Sequence, residues 1–323
     1  MSRRLKHWGW GYEDEQPTAQ ELASSAAFLA QHLGFGATEP EAAVPLDQLS
    51  LTPPRLSVPD ELEAVLSSDP YERVLHACGR SYTDVVKAFR GRFDHLPDLV
   101  ARPRTEDEVQ AVLGWALRAG AAVIPYGGGT SVVGGVEPRV DPGRFAGTVT
   151  IDMRGLDRVL EIDPISQSAR IQAGATGPGL EDQLREHGLT LRHFPQSFEF
   201  STLGGWIATR AGGHFATLYT HIDDLVESVR AVTPAGVWAS RRLPGSGAGV
   251  SPDRMLLGSE GTLGIITEAW VRVRPRPSFR SSAGVRFTSF TAGAEAVRAV
   301  VQSGLHPAGC RLIDAAEAAL TGA

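Results

Sequence analysis

The chain has 323 residues, more than a single hydrophobic core usually spans, so more than one core is expected. Its 42% hydrophobic, 7% aromatic and 21% charged content is that of a folded globular protein and excludes a disordered or fibrous chain. A formal net charge of −6 excludes a broad nucleic-acid footprint, which needs clustered Lys and Arg, so any anionic ligand must be held locally.

The opening segment Lys6–Glu15 sets Trp8, Trp10 and Tyr12 among Gly9 and Gly11 and is expected to dock onto the main body. The Arg-rich start (Ser2, Arg3, Arg4) leads into tryptophans and acids instead of a signal-peptide core, and no apolar stretch approaches the length of a membrane span. A cytoplasmic protein is expected. Its basic charge is nearly all arginine, with Lys6 and Lys87 the only lysines, which suggests a GC-rich bacterial source. Thr18 and Glu21 have capping-box spacing, and Leu22, Phe28, Leu29 and Leu33 follow at helical intervals up to Gly34, predicting a peripheral helix. Pro45, Pro53, Pro54 and Pro59 mark a linker, and helical stretches are expected around Pro59–Leu66 and Ser81–Arg90. Cys78 and Cys310 allow at most one bridge and read as small core residues.

From Leu99 the pattern becomes β-α-β: an extended run (Leu99–Arg102), a helix (Thr105–Ala119) and an apolar run (Ala121–Pro125). Short strands are expected around Thr148–Asp152, Ala169–Ala173, Ser228–Thr233 and Ile265–Val273, with a helix at Gly179–His187. Leu243–Gly249 reads as a glycine-rich surface loop. After Pro275 and Pro277, strand-like Ala283–Phe287, helix-like Ala292–Ser303 and strand-like Gly309–Ile313 suggest a second domain that begins near residue 279 and is incomplete. The fold class is α+β.

The strand at Ala121–Pro125 runs straight into Tyr126-Gly127-Gly128-Gly129-Thr130-Ser131. Three consecutive glycines cost backbone entropy unless the chain must turn sharply or approach a ligand closely, and such a loop can present its amides to a pyrophosphate. The plain alternative is a tight turn. Val132 stands where a dinucleotide fingerprint needs glycine, and no Lys follows as a P-loop requires, so both motifs are disfavoured. Three later blocks also offer small residues and hydroxyls: Ala173–Gly177, Gln196–Thr202 running into Leu203–Gly213, and Gly258–Glu268. His187, His193, His214 and His221 lack metal-site spacing and read as structural or surface residues, although His214 and Tyr219 follow the TRAGG block closely enough to face a cofactor.

These four blocks, in this order, resemble the FAD-binding domain of the vanillyl-alcohol oxidase and para-cresol methylhydroxylase superfamily, and within it the alkyldihydroxyacetonephosphate synthase branch. The likeness runs from HWGWGYED (His7–Asp14) through PDLVARP (Pro97–Pro103), PYGGGTS, QSFEFSTLGGWIATRAGG, HIDDLV (His221–Val226) and GSEGTLGIITEA to CRLID (Cys310–Asp314). It implies a two-subdomain FAD-binding domain of the para-cresol methylhydroxylase type over residues 95–278. A helical N-terminal segment (1–94) would precede it and the start of an α+β substrate or cap domain (279–323) would follow. Motif by motif, Pro125, Tyr126, Gly127, Gly128, Gly129, Thr130 and Ser131 would hold the pyrophosphate. Gln196, Ser197, Phe198, Glu199, Phe200, Ser201 and Thr202, with Thr209, Arg210, Ala211 and Gly212, would line the flavin and ribityl chain. Glu260, Gly261, Thr262, Leu263, Gly264, Ile265 and Ile266 would meet the adenosine end or the adjacent loop. Arg311 would contact the substrate; the bland alternative is an ion pair with Asp314.

Members of the superfamily that bind flavin covalently often carry His or Cys near the glycine loop, whereas Gly127–Gly135 contains neither, so the resemblance implies non-covalent FAD; the histidine spacing gives no expectation of a metal. The resemblance implies redox-neutral exchange of the acyl group of acyl-dihydroxyacetone phosphate for a long-chain alcohol, with FAD as a covalent platform and further catalytic residues beyond Ala323. The expected partner is a small lipid-like substrate, with peripheral membrane contact and a homodimer left open. A flavin-dependent 2-hydroxy-acid dehydrogenase of the D-lactate or glycolate type is the rival, disfavoured by GGWIATRAGG where those enzymes carry an asparagine-rich block. A non-catalytic flavin-binding fragment is the third reading.

Overall fold

The computed structural model describes residues 3–141, 143–214, 217–219, 221–243, 251 and 254–321. The glycine-rich segment expected at Leu243–Gly249 lies, after Leu243, outside the described residues. The chain folds as two compact units, Met1–Asp152 and Met153–Ala323.

The first unit opens with a hairpin-like turn in which Leu5 bridges Tyr12. As expected it docks: Trp8 meets Phe89 edge-on at 5.2 Å, and the Tyr71 hydroxyl donates to the Leu5 carbonyl. Helix α1 (Ala19–Leu33) has its Thr18–Glu21 capping box and a left-handed Gly34, and it buries no residue. Next come β1 (Leu66–Ser67), α2 (Pro70–Leu75) and α3 (Tyr82–Phe89). The helix expected at Pro59–Leu66 is corrected to one 3-10 turn, Asp60–Leu62, followed by β1, because Leu66 and Ser67 pair antiparallel with Ala101 and Val100. Then follow β2 (Leu99–Ala101), α4 (Glu106–Ala119), β3 (Ala121–Tyr126) and β4 (Gly147–Asp152).

The β-α-β pattern is present with one strand interposed. The sheet order is β1-β2-β4-β3, and β2 and β3 each run parallel to β4. All six residues of β4 are buried, which suits a strand with neighbours on both edges. Helix α4 is capped by Thr105, ends at left-handed Gly120 and buries Val109, Val112 and Ala116, one face of its period.

In the second unit, β5 (Val159–Asp163) and β6 (Ser168–Gln172) lead into α5 (Gly177–Arg185), then β7 (Leu189–Thr190) and α6 (Leu203–Thr209). Strands β8 (Val226–Thr233), β9 (Gly236–Ala239), β10 (Ile265–Arg272) and β11 (Arg274–Pro275) follow. The main sheet is antiparallel, ordered β5-β6-β10-β8-β9. Ile171, Val229 and Val271 from its strands share one core with Leu180 and Leu184 of α5 and Leu203, Trp206 and Ile207 of α6. Full burial of each such side chain contributes ~1.5–3 kcal/mol.

Helices α7 (Phe290–Gln302) and α8 (Ala315–Thr321) close the chain. The strands expected at Ala283–Phe287 and Gly309–Ile313 do not form. A strand exists through its pairing, and no described segment pairs with either; Val285 and Phe287 are exposed. The two cysteines are not both core residues, since Cys78 is only partly buried and Cys310 is exposed. The α+β expectation holds in both units.

Candidate functional site

In the first unit the glycine loop leaves β3 at Tyr126, whose strand position faces Asp152 across the ladder. Gly129 adopts φ +67°, and a Cβ there would sit 1.9 Å from the Tyr126 hydroxyl. Tyr126 is held in turn, because its hydroxyl donates to the Leu75 carbonyl and its ring lies 4.4 Å from that of His76. His76, fully buried, donates from Nδ1 to the Glu72 carbonyl at 2.7 Å and has Nε2 3.1 Å from an Asp152 carboxylate oxygen, while Arg102 pairs with Glu72 at 2.7 Å. The far end of the loop is fixed by Ser131. Its carbonyl accepts from the Arg80 amide at 2.8 Å, and its hydroxyl accepts from the Val133 and Gly135 amides.

Between these anchors the amides of Gly128, Gly129 and Thr130 donate to no acceptor among the described residues. Consecutive small residues with free amides form an anion-binding concavity, so the loop fits a pyrophosphate better than it fits a plain turn. Sequence inspection missed the anchors. His76 and Cys78 lie near the loop in space although Gly127–Gly135 contains neither residue type. Burial pushes the Cys78 thiol up to about 11, which keeps it protonated and a poor nucleophile toward a flavin.

In the second unit the other three blocks converge. Thr176 bridges Thr202, the Leu203 amide donates to Ala175 at 3.0 Å and the Gly204 amide to Ala173 at 2.7 Å. These close approaches need glycine: a Cβ on Gly174 would lie 1.8 Å from the Met153 carbonyl oxygen, and one on Gly177 2.4 Å from the Phe198 ring. Thr202 caps α6, and Trp206 donates to the Ser201 hydroxyl at 2.7 Å, which fixes the Gln196–Thr202 block against the helix. The Gly258–Glu268 block meets the other end of α6, where the Gly258 amide donates to Ile207 and the Glu260 amide to Ala208. Arg210 and Glu260 both hold positive φ, and Arg210 pairs with Asp223 at 2.6 Å. Thus Gln196–Thr202, Thr209–Gly212 and Glu260–Ile266 are brought together, whereas Pro125–Ser131 belongs to the other unit.

Arg311 does not pair with Asp314. Its guanidinium lies 3.2 Å from His214 Nδ1, while Asp314 caps α8 through the Ala316 and Glu317 amides. Close to His214 in sequence, Gly213 lines a cavity of about 130 Å³ that carries Arg192, His193, Arg274 and His306 and, among the described residues, no carboxylate. Arg274 stacks on Tyr219 at 3.9 Å. Apart from His193, these basic residues carry no signal in the sequence, since they are isolated along the chain and meet only through the fold.

His193 is buried with Nε2 unpartnered, and its ring meets Trp206 edge-on. Burial, with a smaller push from His221, lowers its pKa from 6.5 to about 4. The unfolded chain takes up this proton near the ordinary value and the folded chain only near the lowered one. Stability is therefore complete above pH ~6.5, falls as the pH drops toward ~4, and loses on the order of 3 kcal/mol across that window. Urea unfolding between pH 7.5 and 4.5 should show this slope and His193→Gln should flatten it; an unchanged slope in the variant would refute the assignment.

Comparison with known proteins agrees with this geometry. Residues 97–240 match an FAD binding domain, and residues 276–323 match the C-terminal domain of FAD linked oxidases. An alkyldihydroxyacetonephosphate synthase of Dictyostelium discoideum is 40% identical over 264 residues, which is 82% of this chain and 42% of that protein. A solved structure of alkyldihydroxyacetonephosphate synthase superposes with a TM-score of 0.74 at 36% identity, covering 85% of this chain and 55% of that one. A mitochondrial D-lactate dehydrogenase (cytochrome) of Arabidopsis thaliana is 30% identical over 296 residues, 90% of this chain and 49% of that protein. The chain thus spans about half the length of the relatives it matches.

Proposed function

Since residues 97–240 match an FAD binding domain and residues 276–323 the C-terminal domain of FAD linked oxidases, we propose that the whole protein is an alkyldihydroxyacetonephosphate synthase. It would exchange the acyl group of acyl-dihydroxyacetone phosphate for a long-chain alcohol in ether-lipid synthesis. The observation that carries this reading is the 40% identity to a synthase over 82% of the chain, against 30% to a D-lactate dehydrogenase.

FAD, when bound, supplies a platform on which the exchange proceeds without net oxidation. The chain's own residues bind and orient. In the first unit, the free amides of Gly128–Thr130 cradle the pyrophosphate as neutral donors. In the second, Gln196–Thr202 and Thr209–Gly212 form the rigid surface for the flavin and ribityl chain, and Glu260–Ile266 the adjacent loop. Arg311 binds substrate phosphate, where its planar fork suits a dianion. The cavity with Arg192 and Arg274 adds positive charge, with no carboxylate among its described lining residues. The protonated Cys78 supports a non-covalent cofactor. Cytoplasmic residence, a second copy as partner and peripheral contact with a lipid surface belong to the same proposal.

The test has two stages. Purified protein loaded with FAD and desalted should show flavin bands, and acid precipitation should release them to the supernatant. Incubation of acyl-dihydroxyacetone phosphate with labelled hexadecanol should then give alkyl product with no dye reduction. Dye reduction driven by D-lactate, with no exchange, would overturn the synthase reading in favour of the dehydrogenase.

A further inference from the structure

Arg80, which retains 9% of its surface, is a buried cation with weak partners. Its Nη1 donates to the neighbouring Gly79 carbonyl at 3.0 Å and its Nη2 reaches the Lys6 carbonyl at 3.5 Å; both acceptors are neutral. Among the described residues Arg80 makes no ion pair with a carboxylate; the nearby Asp84 accepts instead from the Ser81 amide in the capping box of α3. Arg73, the other buried arginine of this unit, differs in each respect. It clamps two separate segments through the Pro97 and Thr52 carbonyls at 2.8 Å and feels the Asp98 carboxylate. A guanidinium taken out of water without a counter-charge is strongly disfavoured unless something anionic completes the site.

The backbone says where that anion belongs. The Arg80 amide holds the Ser131 carbonyl at 2.8 Å, and Gly79 presses so close that a Cβ there would lie 2.1 Å from the same oxygen. Arg80 is thereby fixed beside the last residue of a loop whose Gly128, Gly129 and Thr130 amides lack acceptors among the described residues and which contains no Lys or Arg of its own. We infer that Arg80 supplies the fixed positive charge for the diphosphate held by the glycine loop, an inference that rests on the FAD reading above. Neutral amides give shape to a diphosphate site, and the buried guanidinium gives it charge.

The whole protein, stripped of flavin, is titrated with FAD and with riboflavin, which lacks phosphate, at low and moderate salt. Arg80→Met should weaken FAD binding about tenfold or more and leave riboflavin binding unchanged, with Arg80→Lys recovering most of the loss. The salt dependence of FAD binding should also become shallower in Arg80→Met. If Arg80→Met does not fold, Arg80→Gln keeps donors toward the carbonyls while losing the charge and gives the same comparison. Equal losses for FAD and riboflavin would make Arg80 a structural residue and overturn the inference, as would no loss at all. Wild-type protein that binds neither flavin would overturn the FAD reading itself.

Discussion

Gly174→Ala is expected to destabilise the second unit by ~3 kcal/mol or more and to abolish flavin retention. The added methyl would lie 1.8 Å from the Met153 carbonyl oxygen and 2.7 Å from that of Leu156. Both obstacles are backbone. The Gly174 amide already donates to Leu156 at 2.8 Å, so relief requires separating two chain segments that hydrogen-bond to each other. The shift would spread to Ala173 and Ala175, whose carbonyls anchor the start of α6. Gly284→Ala is the control, because a Cβ there meets nothing within 4 Å. Chemical denaturation of the two variants decides the matter; equal midpoints would show that the close approach at Gly174 carries no weight.

Gly129→Ala should leave the fold largely intact but weaken FAD binding by ~100-fold or more. Two costs combine. An L side chain at φ +67° is strained by ~1–2 kcal/mol. The methyl would also lie 1.9 Å from the Tyr126 hydroxyl, and that ring is pinned by Leu75 and His76. The strain therefore falls on the loop, where the unpaired amides must keep their arrangement. Adding Tyr126→Ala removes the clash and leaves the dihedral strain, so the double variant should recover part of the affinity. Undiminished affinity in Gly129→Ala would mean that this loop does not hold the cofactor.

Much of the fold was legible because its signals are local. The capping box at Thr18–Glu21, the left-handed glycines 34 and 120 and the apolar runs at β3, β4, β8 and β10 each act within a few residues. What escaped depended on distant partners. The segment at 283–287 has strand chemistry but no paired neighbour, and β1, at two residues long, exists only because Val100 and Ala101 lie opposite. The site divides in the same way. Glycine loops announce themselves by composition, whereas Gly79, Arg80, His76 and the cavity arginines have no sequence signal until the fold sets them against Ser131, Tyr126 or one another. Arg311 was chosen by motif, and its partner His214 could not be read from spacing.

The interposed strand imposes an order on synthesis. On the ribosome, β2, α4, β3 and the glycine loop all emerge before β4, yet β2 and β3 have no hydrogen-bonded contact with each other and meet only through Gly147–Asp152. Asp152, the last residue of that strand, also carries the hydrogen bond to His76 beneath Tyr126. A nascent chain halted at Ser131 therefore has the Leu75 and Arg80 anchors of the loop but neither the strand that pairs with β3 nor the Asp152 contact to His76, so the loop gains its full support only after the translation of β4.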